Sequence, residues 1–338
     1  MLHIDRRRWR GRIGALVLTA ALTVGATACG SDSDSNSKAS GPCSSSEAGS
    51  ESAAGFPRTV KHDKGSTEIE AQPKRVVALD NSLVEAVVAL DRPLCGGIGS
   101  YRDQKGFPKY LGDAVKDTKD VGPLESPNLE AIAALKPDLI VSATVRHEDL
   151  YDKLSDIAPT VFVETTGPLW KDNLTLLGKA LGKEDKAKEL LTSYETRAKK
   201  IGDAVNAKAD KPEVSIVRFV DGPTRIYLPK TFSGIILSDM GLARPKNQRD
   251  PKNFNIEISE EQIGQADGDV ILYTTFSGGE EREKKFLGNP LWKRLNAVKK
   301  GNVHQVNDET WMTSVSVQGA HMVLDDMAKI FKVDASKK

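Results

Sequence analysis

The strongest pattern in the chain is a run of apolar positions, Ala187, Leu190, Leu191, Tyr194, Ala198, Ile201 and Val205, spaced three and four apart. That spacing predicts one amphipathic helix over residues 184–209. At 1.5 Å per residue it would be about 39 Å long, enough to cross one face of a two-lobed protein. On either side the pattern changes to short apolar runs followed by helical spacing. Residues 74–93 (KRVVALDNSLVEAVVALDRP) read as strand, turn and helix. VSIVRF at 214–219, followed by SGIILSDMGLARP at 233–245, repeats that order. Alternating strands and helices predict an α/β fold of two lobes with mostly parallel sheets. A single helix joining the lobes is stiffer than extended crossovers, so small opening motions are expected.

Two segments match each other at an offset of 131 residues. Residues 128–141 (NLEAIAALKPDLIV) align without gaps on residues 259–272 (SEEQIGQADGDVIL). They share Glu130 with Glu261, Ile132 with Ile263, Asp138 with Asp269 and Ile140 with Ile271. Each begins with a capping residue, Asn128 or Ser259, and places its Glu in the first helical turn. Each then passes through a turn, and an Asp, into an apolar strand.

The N-terminal segment reads differently. Arg6, Arg7, Arg8, Arg10 and Arg12 precede an uncharged run from Ile13 to Ala28 that is too short to span a bilayer. Positive charge, a short apolar core and small residues form a secretion signal. Ala26-Thr27-Ala28 before Cys29 resembles a bacterial lipobox, which would make Cys29 the diacylated N-terminus of the mature chain and anchor it on the outer face of the cytoplasmic membrane. Residues 29–55 are nearly all Ser, Gly, Ala, Asp and Glu, a composition expected of a flexible tether. Without residues 1–28 the chain carries 43 basic and 46 acidic residues, which argues against a nucleic-acid partner. Cys43 and Cys95 remain, and an oxidising compartment permits a disulfide between them.

VGPLESPNLEAIAALKPDLIVSAT, LLGKALGKEDKAKELLTSYE, EISEEQIGQADGDVILY and NPLWKRLNAVKKGNVHQV together resemble the class III periplasmic-binding proteins. That family serves ABC importers of siderophores, haem and cobalamin. The resemblance runs from about Phe56 to Phe331 and implies two α/β lobes joined by one long helix, with the ligand in a shallow cleft between them. The corresponding organisation is a signal at 1–28, a tether at 29–55, an N-terminal lobe at 56–166, an interlobe helix at 167–210 and a C-terminal lobe at 211–338. It also implies that Glu130 and Glu261, one per lobe, dock on Arg residues of a permease dimer. The family commonly places an Arg on the strand matching VSIVR, which makes Arg218 the foremost ligand candidate.

A large, oxygen-rich chelate is held by guanidinium donors and by aromatic faces at the ends of strands. The residues of that type in such places are Arg218, Trp311, Trp170, Tyr227, Tyr273, Tyr101, Arg146 and Arg225, with Phe276 beside them. The five histidines are scattered, so no bare metal site is expected, and iron would arrive only inside its own chelator. No cofactor is expected. A ferric siderophore of low charge, of hydroxamate type, fits best; haem, cobalamin, ferric citrate or a structural lipoprotein are the alternatives. G-x-S-x-G and P-loop motifs are absent from the sequence, so the reading is a monomeric binding protein and not an enzyme.

Overall fold

The computed structural model describes residues 55–101 and 105–336. The signal, Cys29, Cys43 and all of the tether but Gly55 lie outside the described residues. Cys95, buried in the first lobe, is disulfide-bonded.

The first lobe opens with a hairpin of β1 (Arg58–His62) and β2 (Gly65–Ile69). Its sheet contains β3 (Val76–Ala78), β4 (Leu94–Gly97), β5 (Lys119–Asp120), β6 (Leu139–Ala143) and β7 (Thr160–Val163). They run in the order β5-β4-β3-β6-β7, and every pairing is parallel. The second sheet contains β8 (Val214–Phe219), β9 (Thr224–Tyr227), β10 (Asn255–Ile258), β11 (Val270–Thr275) and β12 (Val303–Gln305), in the order β10-β9-β8-β11-β12.

The second sheet departs from the mostly parallel expectation. β8, β11 and β12 pair in parallel, but β9 is antiparallel to both β8 and β10. The cause is local: only residues 220–223 separate β8 from β9, too few for a crossover, so the chain must double back. Gly222, at φ +136°, makes that reversal in a region closed to most side chains.

The repeated Asp has a structural cause. Asp138, just before β6, accepts the backbone N–H groups of Lys74 and Arg75 at 2.7 and 2.8 Å. Asp269, just before β11, accepts the N–H of Glu213 at 3.0 Å. In each lobe the carboxylate satisfies backbone donors at the start of the neighbouring central strand, fixing the register of β6 on β3 and of β11 on β8.

The long helix spans Glu184–Ala209, the predicted bounds. The connection before it is a second helix, Trp170–Leu181, ended by left-handed Gly182. One continuous apolar core runs from Val76 and Leu139 of the first sheet, through Leu177, Tyr194 and Ile201 of these helices, to Ile216 and Leu272 of the second sheet. The outer faces of the two sheets have separate cores.

Gly202 sets how closely the long helix approaches the second lobe. A Cβ at this position would lie 1.8 Å from the carbonyl oxygen of Met240, which ends the helix Phe232–Asp239. Alanine has the better helix propensity by up to about 1 kcal/mol, but here the backbone would have to move. Gly202→Ala is therefore expected to destabilise the fold by about 1–3 kcal/mol in chemical denaturation. An unchanged or raised midpoint would show that the helices separate freely.

Candidate ligand cleft at the carboxyl ends of both sheets

In open α/β sheets, ligands bind beyond the carboxyl ends of the strands where the strand order reverses. In the first sheet that point lies between β3 and β6. A cleft there is lined by Asp80, Asn81 and Ser82 after β3, Tyr101 after β4, Arg146 after β6, and Met312, Thr313 and Val315 from the C-terminal part of the chain. Its enclosed volume is about 50 Å³. Sites for drug-sized ligands occupy roughly 300–1,000 Å³. A chelate must therefore lie across the mouth or part the walls. A larger groove of about 610 Å³ follows the solvent face of the long helix past Asp185, Thr192 and Arg197, away from any strand end.

Asp80 organises the first half of the cleft. As N-cap of the helix Asn81–Ala89, its Oδ1 accepts from the N–H and hydroxyl of Ser82 at 2.9 and 2.6 Å. Its Oδ2 accepts from Nε of Arg146 at 3.0 Å. Asp80 is buried, whereas Arg146 is exposed and lines the opening. The turn carrying Arg146 is pinned from behind by buried His147. Its Nε2 lies 2.5 Å from the carbonyl of Leu124, which can only accept, so Nε2 carries the hydrogen and Nδ1 accepts from the hydroxyl of Ser142 at 2.8 Å. Burial holds the imidazole pKa below its ordinary value.

A second cluster, in the second lobe, is built around buried Arg218 near the end of β8. Its Nε and Nη2 form a two-point pair with Asp308, at 2.8 and 2.6 Å. Its Nη1 donates to the hydroxyl of Tyr227 at 3.0 Å, and the guanidinium stands 4.9 Å from the ring centre of Phe276. Thr274 also donates to Asp308, at 2.8 Å. Burial alone would lower the pKa of Arg218, but the bonds and charge of Asp308 and Tyr227 outweigh it and raise the value. Arg225 faces Arg218 in the β8–β9 register and lies 3.4 Å from Glu257. Residues 308–315 carry the chain from the partner of Arg218 to Met312, Thr313 and Val315 in the wall beside Arg146.

The structure thus brings Arg146, Tyr101, Arg218, Arg225, Tyr227 and Phe276 to strand ends, and it corrects three aromatic candidates. Trp311 is fully buried and donates its indole N–H to Asp326 at 2.8 Å, so it packs the core. Trp170 is buried edge-on against Tyr194 and Phe232, at 5.1 and 5.8 Å between ring centres. Tyr273 is on the right strand but the wrong face. It stands one residue before Thr274 and packs with Phe219 on the outer side of the sheet. Asp80 and Asp308 are not among the candidates the sequence offers, which are hydrogen-bond donors and aromatics and not acids. Their signal was available: each follows a strand by only a few residues.

Glu130 and Glu261 also occupy equivalent places. Glu130 is exposed in the first turn of the helix Leu129–Ala134, capped by Asn128, which accepts from the N–H of Ala131 at 2.9 Å. Glu261 is exposed in the first turn of a 3₁₀ helix, Glu260–Ala266, closed by a capping box of Ser259 and Gln262. Hydrogen bonding from Ser259 lowers its pKa below the ordinary value. Among the described residues neither Glu enters an ion pair.

The family described as "Periplasmic binding protein" matches residues 76–310. The chain is 40% identical over 304 residues to the "Probable siderophore-binding lipoprotein YfiY" of Bacillus subtilis, covering 86% of this chain and 93% of that one. It is 30% identical to the "Fe(3+)-citrate-binding protein YfmC" of the same organism, covering 94% and 95%. Among solved structures it resembles Staphylococcus aureus SirA complexed with staphyloferrin B, with a TM-score of 0.77, 34% identity, and coverage of 82% of this chain and 100% of that one. Two lobes joined by the long helix are the architecture of these neighbours, and this chain belongs to the periplasmic binding protein family.

Proposed function

We propose that the protein is an extracytoplasmic lipoprotein, anchored through Cys29, that binds a ferric siderophore and delivers it to an ABC permease dimer. The observation that carries this reading is a pair of arginine half-sites, Arg146 with Asp80 and Arg218 with Asp308, one at the carboxyl end of each sheet. Guanidinium groups facing a cleft from two lobes suit a chelate whose rim is ringed with oxygens. Tyr101, Tyr227 and Phe276 add aromatic surface for its methylene linkers.

The charge of the cleft favours the hydroxamate class. Arg146, Arg218 and Arg225 are matched by Asp80, Asp308 and Glu257, so these groups sum to zero. A chelate of low net charge needs no surplus of cations. Ferric citrate is the second reading, favoured by the relative named for it. The hydroxyl–imidazole pair of Ser142 and His147 is buried behind the wall, with both groups engaged in holding the turn that carries Arg146. Glu130 and Glu261 supply the two docking points for the permease, one carboxylate on each lobe.

Titration of the purified protein by intrinsic tryptophan fluorescence tests the reading, with ferric hydroxamates, ferric citrate, iron-free chelators, haem and cobalamin as the panel. Saturable quenching by a ferric hydroxamate, and little by its iron-free form, is expected. Arg218→Ala and Arg146→Ala should each weaken that binding roughly ten- to hundredfold, the worth of a hydrogen bond to a charged group. Folded protein that responds to no iron chelate would overturn the assignment.

A further inference from the structure

We infer that Asp308 and Asp80 are specificity-determining residues that fix the net charge of the chelate the cleft accepts. The inference rests on the ferric-siderophore reading and extends it. Two carboxylates that touch arginines could serve only to hold them in place, but the geometry gives them more. Asp308 meets Arg218 through two bonds and Thr274 through a third, and both side chains of the ion pair are only 11% exposed. Tyr227 and Phe276 already orient the same guanidinium from its other edge and from its face. Where water is largely excluded, a compensating charge acts on a neighbouring ligand far more strongly than it would at the surface.

The first lobe repeats the device with different parts. Asp80 is held by Ser82 through Oδ1 and faces Arg146 through Oδ2, so its position is set by the helix it caps and not by the arginine. Each lobe therefore presents one cation already balanced by one fixed anion. An uncharged ferric chelate can exchange hydrogen bonds with these arginines while the total charge stays at zero. An anionic chelate must share the same guanidinium groups with two carboxylates that repel it.

Asp308→Asn keeps the size and a hydrogen-bonding oxygen while removing the charge. Affinities would be measured by fluorescence titration for ferrioxamine E, an uncharged hydroxamate chelate, and for ferric dicitrate, an anionic one. The ratio of the two affinities is expected to move towards ferric dicitrate by roughly ten- to hundredfold, and the change should shrink as salt is raised. Asp80→Asn should shift the ratio in the same direction, and it decides the matter if Asp308→Asn does not fold. Asp308→Glu, which keeps the charge and displaces it, should return the ratio to the wild-type value even if both affinities fall. Equal weakening of both chelates by the Asn variants, with the ratio unchanged, would make the acids mere positioning groups and overturn the inference. Wild-type protein that binds neither chelate nor any other in the panel would instead overturn the siderophore reading itself.

Discussion

Cells whose only copy of the protein carries Glu130→Lys together with Glu261→Lys are expected to take up no ferric siderophore, although the purified variant binds it as tightly as wild type. The two effects separate because the two glutamates stand outside the cleft. Both are exposed, among the described residues neither has an ion-pair partner, and each sits in the first turn of a short helix whose cap is supplied by other side chains. Reversing them removes only a small favourable interaction with the helix N-terminus, so folding and ligand affinity should be nearly untouched. On the proposed permease dimer, two carboxylates on equivalent elements of two lobes would meet two equivalent sets of guanidinium groups. Losing one point should weaken docking, and replacing both with like charge should prevent it. Glu125→Lys, another exposed acid close to Glu130, is the control and should leave uptake intact. Iron uptake assayed with a radiolabelled chelate, alongside titration of the purified variant, measures both quantities. Uptake that survives the double change would remove the glutamates from docking.

Much of the architecture was legible because it depends on periodicity. The apolar positions from Ala187 to Val205 define a stripe that only a helix can bury, and the observed helix has the expected ends. The offset repeat was legible for a deeper reason. Asp138 and Asp269 perform the same task, satisfying backbone donors at the start of the neighbouring strand, so the same residue type stands at the same place in both lobes. The antiparallel strand β9 was not legible from composition. It follows from a connection of four residues, and length, not residue type, decides that geometry.

The cleft was half legible. Arginines at strand ends could be found by rule, and Arg146 and Arg218 stand where that rule puts them. Aromatic residues could not be sorted in the same way. Trp311 is flanked by Met312 in the cleft wall, yet a turn of one position sends its ring into the core and its N–H to Asp326. Tyr273 differs for the complementary reason, since side chains alternate across a strand and its neighbour Thr274 takes the opposite face, where it meets Asp308. Partners were the other gap. An arginine declares its chemistry in the sequence, but Asp308 lies 90 residues from Arg218 and only the folded sheet brings them together.

Behind the cleft wall, a buried carboxyl should make the stability of the protein fall with rising pH. Residues 313–316 alternate: Thr313 and Val315 line the cleft, while Ser314 and Ser316 turn inward to the first lobe. Ser316 donates to Oε2 of Glu85, which is fully buried on the helix Asn81–Ala89, and Gln318 donates to the backbone carbonyl of Glu85 at 2.8 Å. Tyr110 lies beside them and donates to Ser314 at 2.8 Å. Burial pushes the pKa of Glu85 up to about 8 from 4.5, with Asp80 and Glu309 adding to the rise against the hydrogen bonds of Ser316 and Tyr110. The folded state therefore keeps this proton over a range where the unfolded chain has lost it. The resulting stability is fully present below about pH 4.5, declines as pH rises, and is gone above about pH 8. At about 1.4 kcal/mol per pH unit, the loss across that window is on the order of 5 kcal/mol. Glu85→Gln, which copies the protonated form, should remove this slope and exceed wild type at pH 7 by on the order of 3 kcal/mol. Thermal and denaturant midpoints of both proteins, followed from pH 4.5 to 8.5, should start together and diverge steadily. Parallel curves would mean that the carboxyl ionises inside the fold, and that the contact between residues 314–316 and the first lobe holds with a charge at its centre.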